Sequence, residues 1–201
     1  LYDYGFSPEF PNKVEREANK ISKEISKEEI NKRLDLRKTT TFTIDPKDAK
    51  DFDDALSVKK LKNGNWEVGI HIADVSHYVE KGSVIDKEAI ERATSVYLVD
   101  RVVPMLPEVL SNNICSLKPN VDRLAYSILF EMNEKANLVD YQIKKSVIHS
   151  DVRFTYQTAQ DVIDNKEGKL VTELLLLDKL SKILRKKRQQ NGSINFESTE
   201  V

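Results

Sequence analysis

Five aspartates lie within ten residues, in the segment 45–54, and these are the residues of the sequence whose types and spacing could do chemistry. They are Asp45, Asp48, Asp51, Asp53 and Asp54. Carboxylates placed this close together repel one another and raise one another's pKa values unless solvent or cations compensate. A hard divalent cation is the natural compensator, because it prefers oxygen ligands. The segment is therefore a candidate metal centre.

The residue types favour Mg²⁺, with Mn²⁺ as the other possibility. Segment 45–54 contains no cysteine or histidine, and thiolate and imidazole are the ligands that would select softer ions such as zinc. Two Mg²⁺ ions held together can activate a water molecule and stabilise the leaving oxygen during attack on a phosphodiester. The segment could therefore support phosphodiester hydrolysis.

Other interpretations of the acidic segment are possible from composition alone. Aspartate is a favoured turn residue, so the segment could simply be a solvated turn that closes a hairpin. A calcium loop of the EF-hand type is excluded, because counting from Asp45 or from Asp51 the sixth residue is not glycine and the twelfth is not glutamate. A phosphatase-type Asp-x-Asp would need an apolar strand leading into Asp51, whereas Asp48-Ala49-Lys50 precedes it.

Segments typical of β-strands flank the aspartates and would position them. The run of β-branched residues 39–44 leads directly into Asp45, and the pair Asn63-Gly64 favours a tight hairpin turn after the aspartates. A second hairpin is predicted about residues 133–137. The predicted strands are 39–44, 55–61, 65–73, 124–132 and 138–149.

Helical periodicity predicts three further segments. Residues 12–32 carry Val14, Ala18, Ile21 and Ile25 at helical spacing, with Ser26 and Glu29 as a candidate capping box. Residues 86–93 would form a short helix with Ala89, Ile90 and Ala93 on one face. Residues 171–190 are predicted to form a long helix that ends before Gly192. These elements predict an α+β fold with an antiparallel or mixed sheet, built of hairpins and packed with helices.

Composition limits the class of protein. The chain has 201 residues, 39% of them hydrophobic, and a net charge of −1, so no global positive field marks a nucleic-acid binder. The single cysteine, Cys115, favours a cytoplasmic location, and no apolar run is long enough to span a membrane. The start at Leu1 and the strand-like run at 193–197 lead us to expect a fragment of a longer chain.

Several motifs together resemble the ribonuclease II/R (RNB) family of exoribonucleases, and among its members ribonuclease R most. The acidic segment carries the family's Thr-Ile-Asp and acidic-x-Asp-Phe-Asp-Asp-Ala signature. Further motifs follow in the family's order, and the resemblance covers nearly the whole chain, with least support before Leu34. These motifs are His71-Ile72-Ala73-Asp74-Val75-Ser76, Thr94-Ser95-Val96-Tyr97, Pro104-Met105-Leu106-Pro107-Glu108-Val109-Leu110-Ser111 and Cys115-Ser116-Leu117.

The resemblance implies hydrolysis of single-stranded RNA, processively from the 3′ end, with release of nucleoside 5′-monophosphates. It implies that Asp45, Asp51, Asp53 and Asp54 bind the metal, that Asp53 is the aspartate most directly needed for hydrolysis with Asp51 beside it, and that Asp48 is a bystander. Tyr97 would pack against the terminal nucleotide, since an aromatic face can hold any base. Without the resemblance, Tyr97 would be interpreted as a half-buried strand tyrosine.

The resemblance also implies a division of the protein. Residues 1–33 would be a helical entry or linker segment, and residues 34–201 the N-terminal portion of the catalytic domain. The family's basic segment with paired arginines, and its cold-shock and S1-type RNA-binding domains, would lie elsewhere in the full-length chain, which we expect to be monomeric. Hydrolysis of RNA by the isolated chain is therefore not expected, and the rival hypothesis is a non-catalytic RNA-binding or scaffold module that keeps the fold.

The remaining reactive side chains carry weaker signals. His71 lies on an apolar predicted strand, where a hydrogen-bonded structural histidine is the expected role, and His77 and His149 belong to no pattern. Cys115 is expected to be a buried thiol, because no base is paired with it in the sequence. The run 185–188 could contact phosphates, or it could be a solvated helix end favoured by the helix dipole.

Overall fold

The computed structural model describes residues 7–194, and a seven-stranded mixed sheet is its central element. The strands of this sheet are β1 (Leu34–Asp35), β2 (Thr41–Asp45), β3 (Asp54–Lys60), β4 (Trp66–Ala73), β7 (Asp122–Met132), β8 (Leu138–His149) and β9 (Val152–Thr155). Strands β5 (Val96–Tyr97) and β6 (Val102–Val103) form a separate two-stranded ribbon. The order of the seven strands across the sheet is β1-β8-β7-β4-β3-β2-β9.

The pairing within the sheet is mostly antiparallel. The pairs β2–β3, β3–β4, β4–β7 and β7–β8 are antiparallel, whereas the pairs β1–β8 and β2–β9 are parallel. The predicted α+β fold, with a mixed sheet built of hairpins, is therefore confirmed. The expected Asn63-Gly64 turn joins β3 to β4, and Gly64 has the positive φ of 87° that such a turn requires.

Six α-helices accompany the sheet in the described residues. They are α1 (Asn12–Lys20), α2 (Lys27–Asn31), α3 (Val75–Tyr78), α4 (Val84–Arg92), α5 (Tyr156–Asn165) and α6 (Val171–Gln190), with a π-helical turn at Leu110–Ile114. Helix α6 has the bounds that the leucine spacing predicts. None of the helices in residues 7–194 is long and apolar enough to cross a membrane.

Two helical predictions need correction. The segment 12–32 is interrupted after Lys20, because Ile21 adopts an extended conformation and a turn leads to α2. Ser26 caps α2 by accepting a hydrogen bond from the amide of Glu29, as predicted. The carboxylate of Glu29, however, pairs with Arg33 at 2.6 Å rather than completing a capping box.

The predicted face of α4 is also wrong. Ile85 is the buried residue of this helix, Ile90 is 71% exposed, and Ala93 lies beyond the helix end with a φ of 63°. Ile85 and Ala89, which are four residues apart, share the inward face and pack into the core. The strand expected over 193–197 lies largely outside the described residues. The division between 1–33 and 34–201 remains a prediction.

Core side chains lie on both faces of the sheet. On one face, Ala55, Ala73 and Ala125 belong to a cluster with Val14 of α1 and Ile85 of α4. On the other face, α5 and α6 cover β9, β2 and β3 through two smaller clusters, in which Phe42 packs on Phe154 and Leu180 packs near Val58. The sheet is therefore held from both sides where it supports the acidic segment.

Candidate active site

The acidic segment is the connection between two neighbouring strands of the sheet. Asp45 is the last residue of β2 and Asp54 is the first residue of β3. Because these strands are antiparallel neighbours, both aspartates lie at the same end of the sheet, and residues 46–53 form the acidic loop between them. The connection between β2 and β3 therefore places the four candidate metal ligands at one end of the sheet.

The motif Cys115-Ser116-Leu117 holds the acidic loop from one side. The buried Phe52 donates its amide to Ser116 Oγ at 3.0 Å, and its carbonyl accepts the amide of Leu117 at 2.8 Å. Ser116 Oγ in turn donates to the carbonyl of Lys50 at 2.9 Å. These bonds satisfy backbone groups next to the buried Phe52 that would otherwise be left unpaired. The motif thereby fixes the loop backbone on either side of Asp51.

Arg153 of β9 holds the other part of the loop and is not among the residues that the sequence motifs predict. Its Nη2 donates to the carbonyls of Pro46 and Lys47 at 2.5 and 2.8 Å, and its guanidinium lies 5.5 Å from the ring centre of Phe52. The parallel pairing of β9 with β2 brings this arginine to the loop. No local sequence pattern reveals that pairing.

The site carboxylates lie close enough to influence one another. Burial raises the pKa of Asp45, and the carboxylates of Asp54 and Asp51 raise it further. The side chain of Asp53 reaches solvent, but partial burial at the site still raises its pKa, and the charges of Asp51, Asp54 and Asp45 add to the effect. This is the mutual repulsion that the spacing predicts. Asp48 is exposed.

Tyr97 lies beside these carboxylates on β5. Its hydroxyl donates a hydrogen bond to Asp51 Oδ2 at 2.9 Å, while the residue as a whole is 66% exposed. Burial of the hydroxyl end, together with this bond to Asp51, raises the pKa of Tyr97 to about 12. Tyr97 is therefore more open than the half-buried strand tyrosine that its sequence alone would suggest.

A cleft of about 330 Å³ opens next to Asp51, Asp53 and Tyr97. Its other walls are mostly small or apolar side chains, so the carboxylates and the tyrosine provide its main polar groups. Asp48 does not line the cleft. The remaining lining residues are Ile72, Ala73, Val75, Ser95, Met105, Leu106, Ser111 and Cys115.

The donor set fits a hard cation, although the ligands are not preassembled. Asp45 Oδ2 is buried and has no hydrogen-bond partner, which is costly for a carboxylate unless a cation or water satisfies it. The neighbouring donors are all carboxylate oxygens, which suit Mg²⁺ or Mn²⁺. Within residues 7–194, no three histidine, cysteine, aspartate or glutamate side chains are already arranged to bind a metal ion. The four-aspartate metal set therefore stays a prediction.

His71 and Cys115 have the structural environments expected of them, and His149 makes one polar contact away from the site. His71 is fully buried and hydrogen-bonds through Nδ1 to Ser127 at 2.6 Å and through Nε2 to Ser57 at 2.9 Å. Burial raises the pKa of the Cys115 thiol to about 12, so it is an unreactive buried group. His149 lies 2.8 Å from Asp122, away from the site.

The basic run 185–188 at the end of α6 divides into two kinds of residue. Lys187 Nζ donates to the carbonyls of Lys135 and Ala136 and to Asn137 Oδ1, at 2.6, 3.2 and 2.6 Å. It therefore ties α6 to the β7–β8 turn. Its three basic neighbours in the run are exposed, and a contact between them and phosphates stays a prediction.

The fold and the site together define a sheet-based domain with a carboxylate cluster at one strand end. Residues 33–201 match the RNB domain model, so this chain belongs to the RNB domain family. The chain is 46% identical to ribonuclease R 1 of Lactococcus lactis and 47% identical to ribonuclease R of Thermotoga maritima, with 96% of the chain covered in each case. It spans 24% and 28% of the lengths of these curated relatives.

Solved structures give the same assignment. Mycoplasma genitalium RNase R in complex with ribose-methylated single-stranded RNA matches 98% of this chain with a TM-score of 0.90 and 33% identity, and the match covers 32% of that protein. Yeast Ssd1, described as a pseudonuclease, matches 82% of the chain with a TM-score of 0.73 at 19% identity. The second likeness concerns the fold alone, so the fold by itself does not decide whether a protein is catalytic.

Proposed function

We propose that the protein of which this chain is part hydrolyses single-stranded RNA from its 3′ end, processively, and releases nucleoside 5′-monophosphates. The observation that carries the proposal is the cluster of Asp45, Asp51, Asp53 and Asp54 at one sheet end, beside a cleft with the exposed Tyr97. The ribonuclease R relatives, with 42–47% identity, support it.

The four carboxylates have different surroundings, which suggests different roles. Asp45 is buried at the end of β2, so it is suited to holding a cation rather than to touching RNA. Asp51 and Asp53 line the cleft, where a substrate phosphate would enter. Mg²⁺, or Mn²⁺ in its place, would supply the activation of water and the stabilisation of the leaving oxygen. The chain's own residues orient the scissile phosphate, and we assign the most direct hydrolytic role to Asp53.

Tyr97 is suited to hold the terminal nucleotide. Its ring is exposed beside the carboxylates. Stacking of a base on an aromatic face contributes roughly 1–3 kcal/mol to binding and does not depend on which base is present. Processive degradation needs such sequence-tolerant contacts, because every nucleotide passes through the same position. The proposed role of Tyr97 is thus to place the last nucleotide against the carboxylates.

The decisive experiment uses the full-length protein with Asp53→Asn and, as a matched control, Asp48→Asn. Both variants replace one carboxylate of the same loop by an amide, but only Asp53 lines the cleft. We expect Asp53→Asn to bind 5′-labelled single-stranded RNA normally while its rate of hydrolysis falls by a factor of about a hundred or more. Asp48→Asn should retain the wild-type rate. Wild-type hydrolysis by Asp53→Asn would refute the assignment.

The second candidate function is a non-catalytic RNA-binding or scaffold module. The likeness to a pseudonuclease supports it at the level of the fold, and the near-neutral charge of −1 gives no separate indication of catalysis. The clustered carboxylates argue against it, because their mutual repulsion makes such a cluster costly unless a cation is bound. A wild-type full-length protein that binds RNA but does not hydrolyse it in either Mg²⁺ or Mn²⁺ would favour the scaffold module.

Several wider features belong to the same proposal. We infer that the full-length protein is a cytoplasmic monomer and that cold-shock and S1-type domains elsewhere in it supply most of the RNA-binding surface. The length of the relatives leaves room for such domains, since this chain spans 24–30% of those that are ribonuclease R proteins. The near-neutral charge of this portion agrees with a polymer-binding surface located elsewhere.

A further inference from the structure

Tyr97 contacts the site with two chemically different parts of its side chain. The ring is exposed beside the cleft, whereas the hydroxyl lies 2.9 Å from Asp51 Oδ2 and donates a hydrogen bond to it. No lysine, arginine or histidine within residues 7–194 forms an ion pair with Asp51 at 4.0 Å or less. The phenol is therefore the polar side chain that holds this carboxylate.

The backbone around Tyr97 is fixed, so the position of its hydroxyl is not arbitrary. Tyr97 pairs with Val102 in the ribbon of β5 and β6. On one side, Ser95 Oγ accepts the amide of Met105 at 2.9 Å, and on the other the amide of Leu98 donates to the carbonyl of Arg101 at 2.8 Å. The ribbon thus presents the phenol to the acidic loop from a separate element of the fold.

We propose that Tyr97 is a positioning residue for Asp51: its hydroxyl holds Oδ2 so that the carboxylate is oriented to bind the divalent cation. This inference rests on the proposed function for the identity of the site. A carboxylate oxygen that accepts one hydrogen bond leaves the second oxygen free for a cation, and partners of this kind restrict the rotation of the ligand. Removal of such a partner typically costs about 10–100-fold in metal affinity.

The two parts of Tyr97 should then be separable by substitution. Tyr97→Phe keeps the ring that would pack against the terminal nucleotide and removes only the hydroxyl. Tyr97→Ala removes both. Tyr126→Phe is a matched control, because it removes one hydroxyl from an exposed tyrosine of β7 that does not line the cleft.

The test uses the full-length protein and two independent readouts. The first is binding of Mn²⁺ alone to the RNA-free protein, followed by electron paramagnetic resonance. The second is the length of the end product left from 5′-labelled RNA in Mg²⁺. We expect Tyr97→Phe to weaken Mn²⁺ binding about tenfold or more and to leave the end-product length unchanged, whereas Tyr97→Ala changes both and Tyr126→Phe changes neither.

A double-mutant cycle distinguishes positioning of Asp51 from a general structural effect. In an Asp51→Asn background, Tyr97→Phe should cause no further loss of Mn²⁺ affinity, since the carboxylate that it positions is absent. Equal Mn²⁺ isotherms for wild type and Tyr97→Phe, including two equally flat ones, would overturn the inference. The Mn²⁺ isotherms do not depend on RNA hydrolysis. A full-length protein without nuclease activity would therefore refute the proposed function, and the isotherms would still decide whether Tyr97 positions Asp51.

Discussion

At the scale of single residues, the polar side chains of the candidate site and those of the core differ in how their hydrogen bonds and charges are satisfied. The carboxylates of the acidic loop are clustered with like charges, and no residue within 7–194 forms an ion pair with them, as expected where a cation binds. His71, in contrast, lies in the core with both ring nitrogens hydrogen-bonded to serines of neighbouring strands. Gly69 leaves room for that ring, because a Cβ at residue 69 would come within 2.8 Å of His71 Nε2.

The buried imidazole should make the fold sensitive to acid. Burial lowers the pKa of His71 from 6.5 to about 4. Between these values the unfolded chain binds more protons than the folded one, so the free energy of unfolding falls as the pH drops from 6.5 to 4. The loss from His71 alone is about 3 kcal/mol. Urea denaturation at a series of pH values measures it.

Two variants isolate the contribution of His71 from that of the carboxylates. His71→Gln should be less stable than wild type at pH 7 but should lose less stability between pH 6.5 and 4. The comparison variant is His149→Gln, which changes a partly exposed histidine beside Asp122. The attribution to His71 fails if His71→Gln and wild type have the same slope.

At the scale of elements, the acidic loop depends on side chains from distant parts of the chain. Arg153 of β9 binds the carbonyls of Pro46 and Lys47, and Ser116 binds the backbone on both sides of Asp51. These contacts fix the loop before any substrate is present. A site whose ligands must lie in a precise arrangement benefits from such support, because misplacement by about 1 Å can cost a hundredfold in rate.

Arg153→Met should therefore loosen the loop without unfolding the protein. Methionine keeps much of the side-chain length but removes every hydrogen-bond donor, so the carbonyls of Pro46 and Lys47 lose their partner. We expect faster amide hydrogen exchange in residues 46–53 and, in the full-length protein, hydrolysis that is slower by a factor of about ten to a hundred. Arg16→Met, on the exposed side of α1, is the control. Unchanged exchange in the loop would show that Ser116 and Leu117 suffice.

Lys187 provides a similar test for the packing of α6. Its ammonium group donates to three oxygens of the β7–β8 turn, whereas the adjacent Lys186 is exposed. Hydrogen bonds to charged groups contribute about 1.5–3 kcal/mol when partly shielded and less when solvated. We expect Lys187→Met to lower the free energy of unfolding by about 1–2 kcal/mol and Lys186→Met to leave it nearly unchanged. Equal values from chemical denaturation of the two variants would contradict this role.

The features that the sequence predicted are those set by local pattern. The hairpins follow from alternation and the Asn63-Gly64 turn, and α6 follows from its leucine spacing. Strand β9 and Arg153 were not predicted, because β9 joins the sheet through contacts between residues far apart in the sequence. The amide of Thr41, for example, donates to the carboxylate of Asp151, 110 residues away. A short parallel strand also carries no periodic signal. Helix α5 was missed although Thr155 and Thr158 form a capping box at its start, since its apolar residues are few. The Tyr97–Asp51 contact is likewise non-local.

At the scale of the whole molecule, the described residues place the candidate metal ligands together but do not arrange them as a metal site. Asp45, Asp51, Asp53 and Asp54 are gathered at one sheet end, yet no three metal-binding side chains in residues 7–194 are arranged to hold an ion. The net charge of −1 gives no field that would attract an RNA polymer. The ribonuclease R relatives are more than three times as long as this chain, since it spans 24–30% of their length.

The isolated 201-residue chain should therefore bind RNA weakly and leave it intact under conditions in which the full-length protein degrades it. Both are incubated with 5′-labelled single-stranded RNA, with and without Mg²⁺, and the products are separated by length. If only the full-length protein shortens the RNA stepwise from the 3′ end, and does so only with Mg²⁺, residues outside this chain complete the carboxylate cluster. Shortening by the isolated chain would mean that the four aspartates and Tyr97 suffice, because RNA phosphates and Mg²⁺ then assemble the site around them. An inert parent would instead favour the scaffold hypothesis.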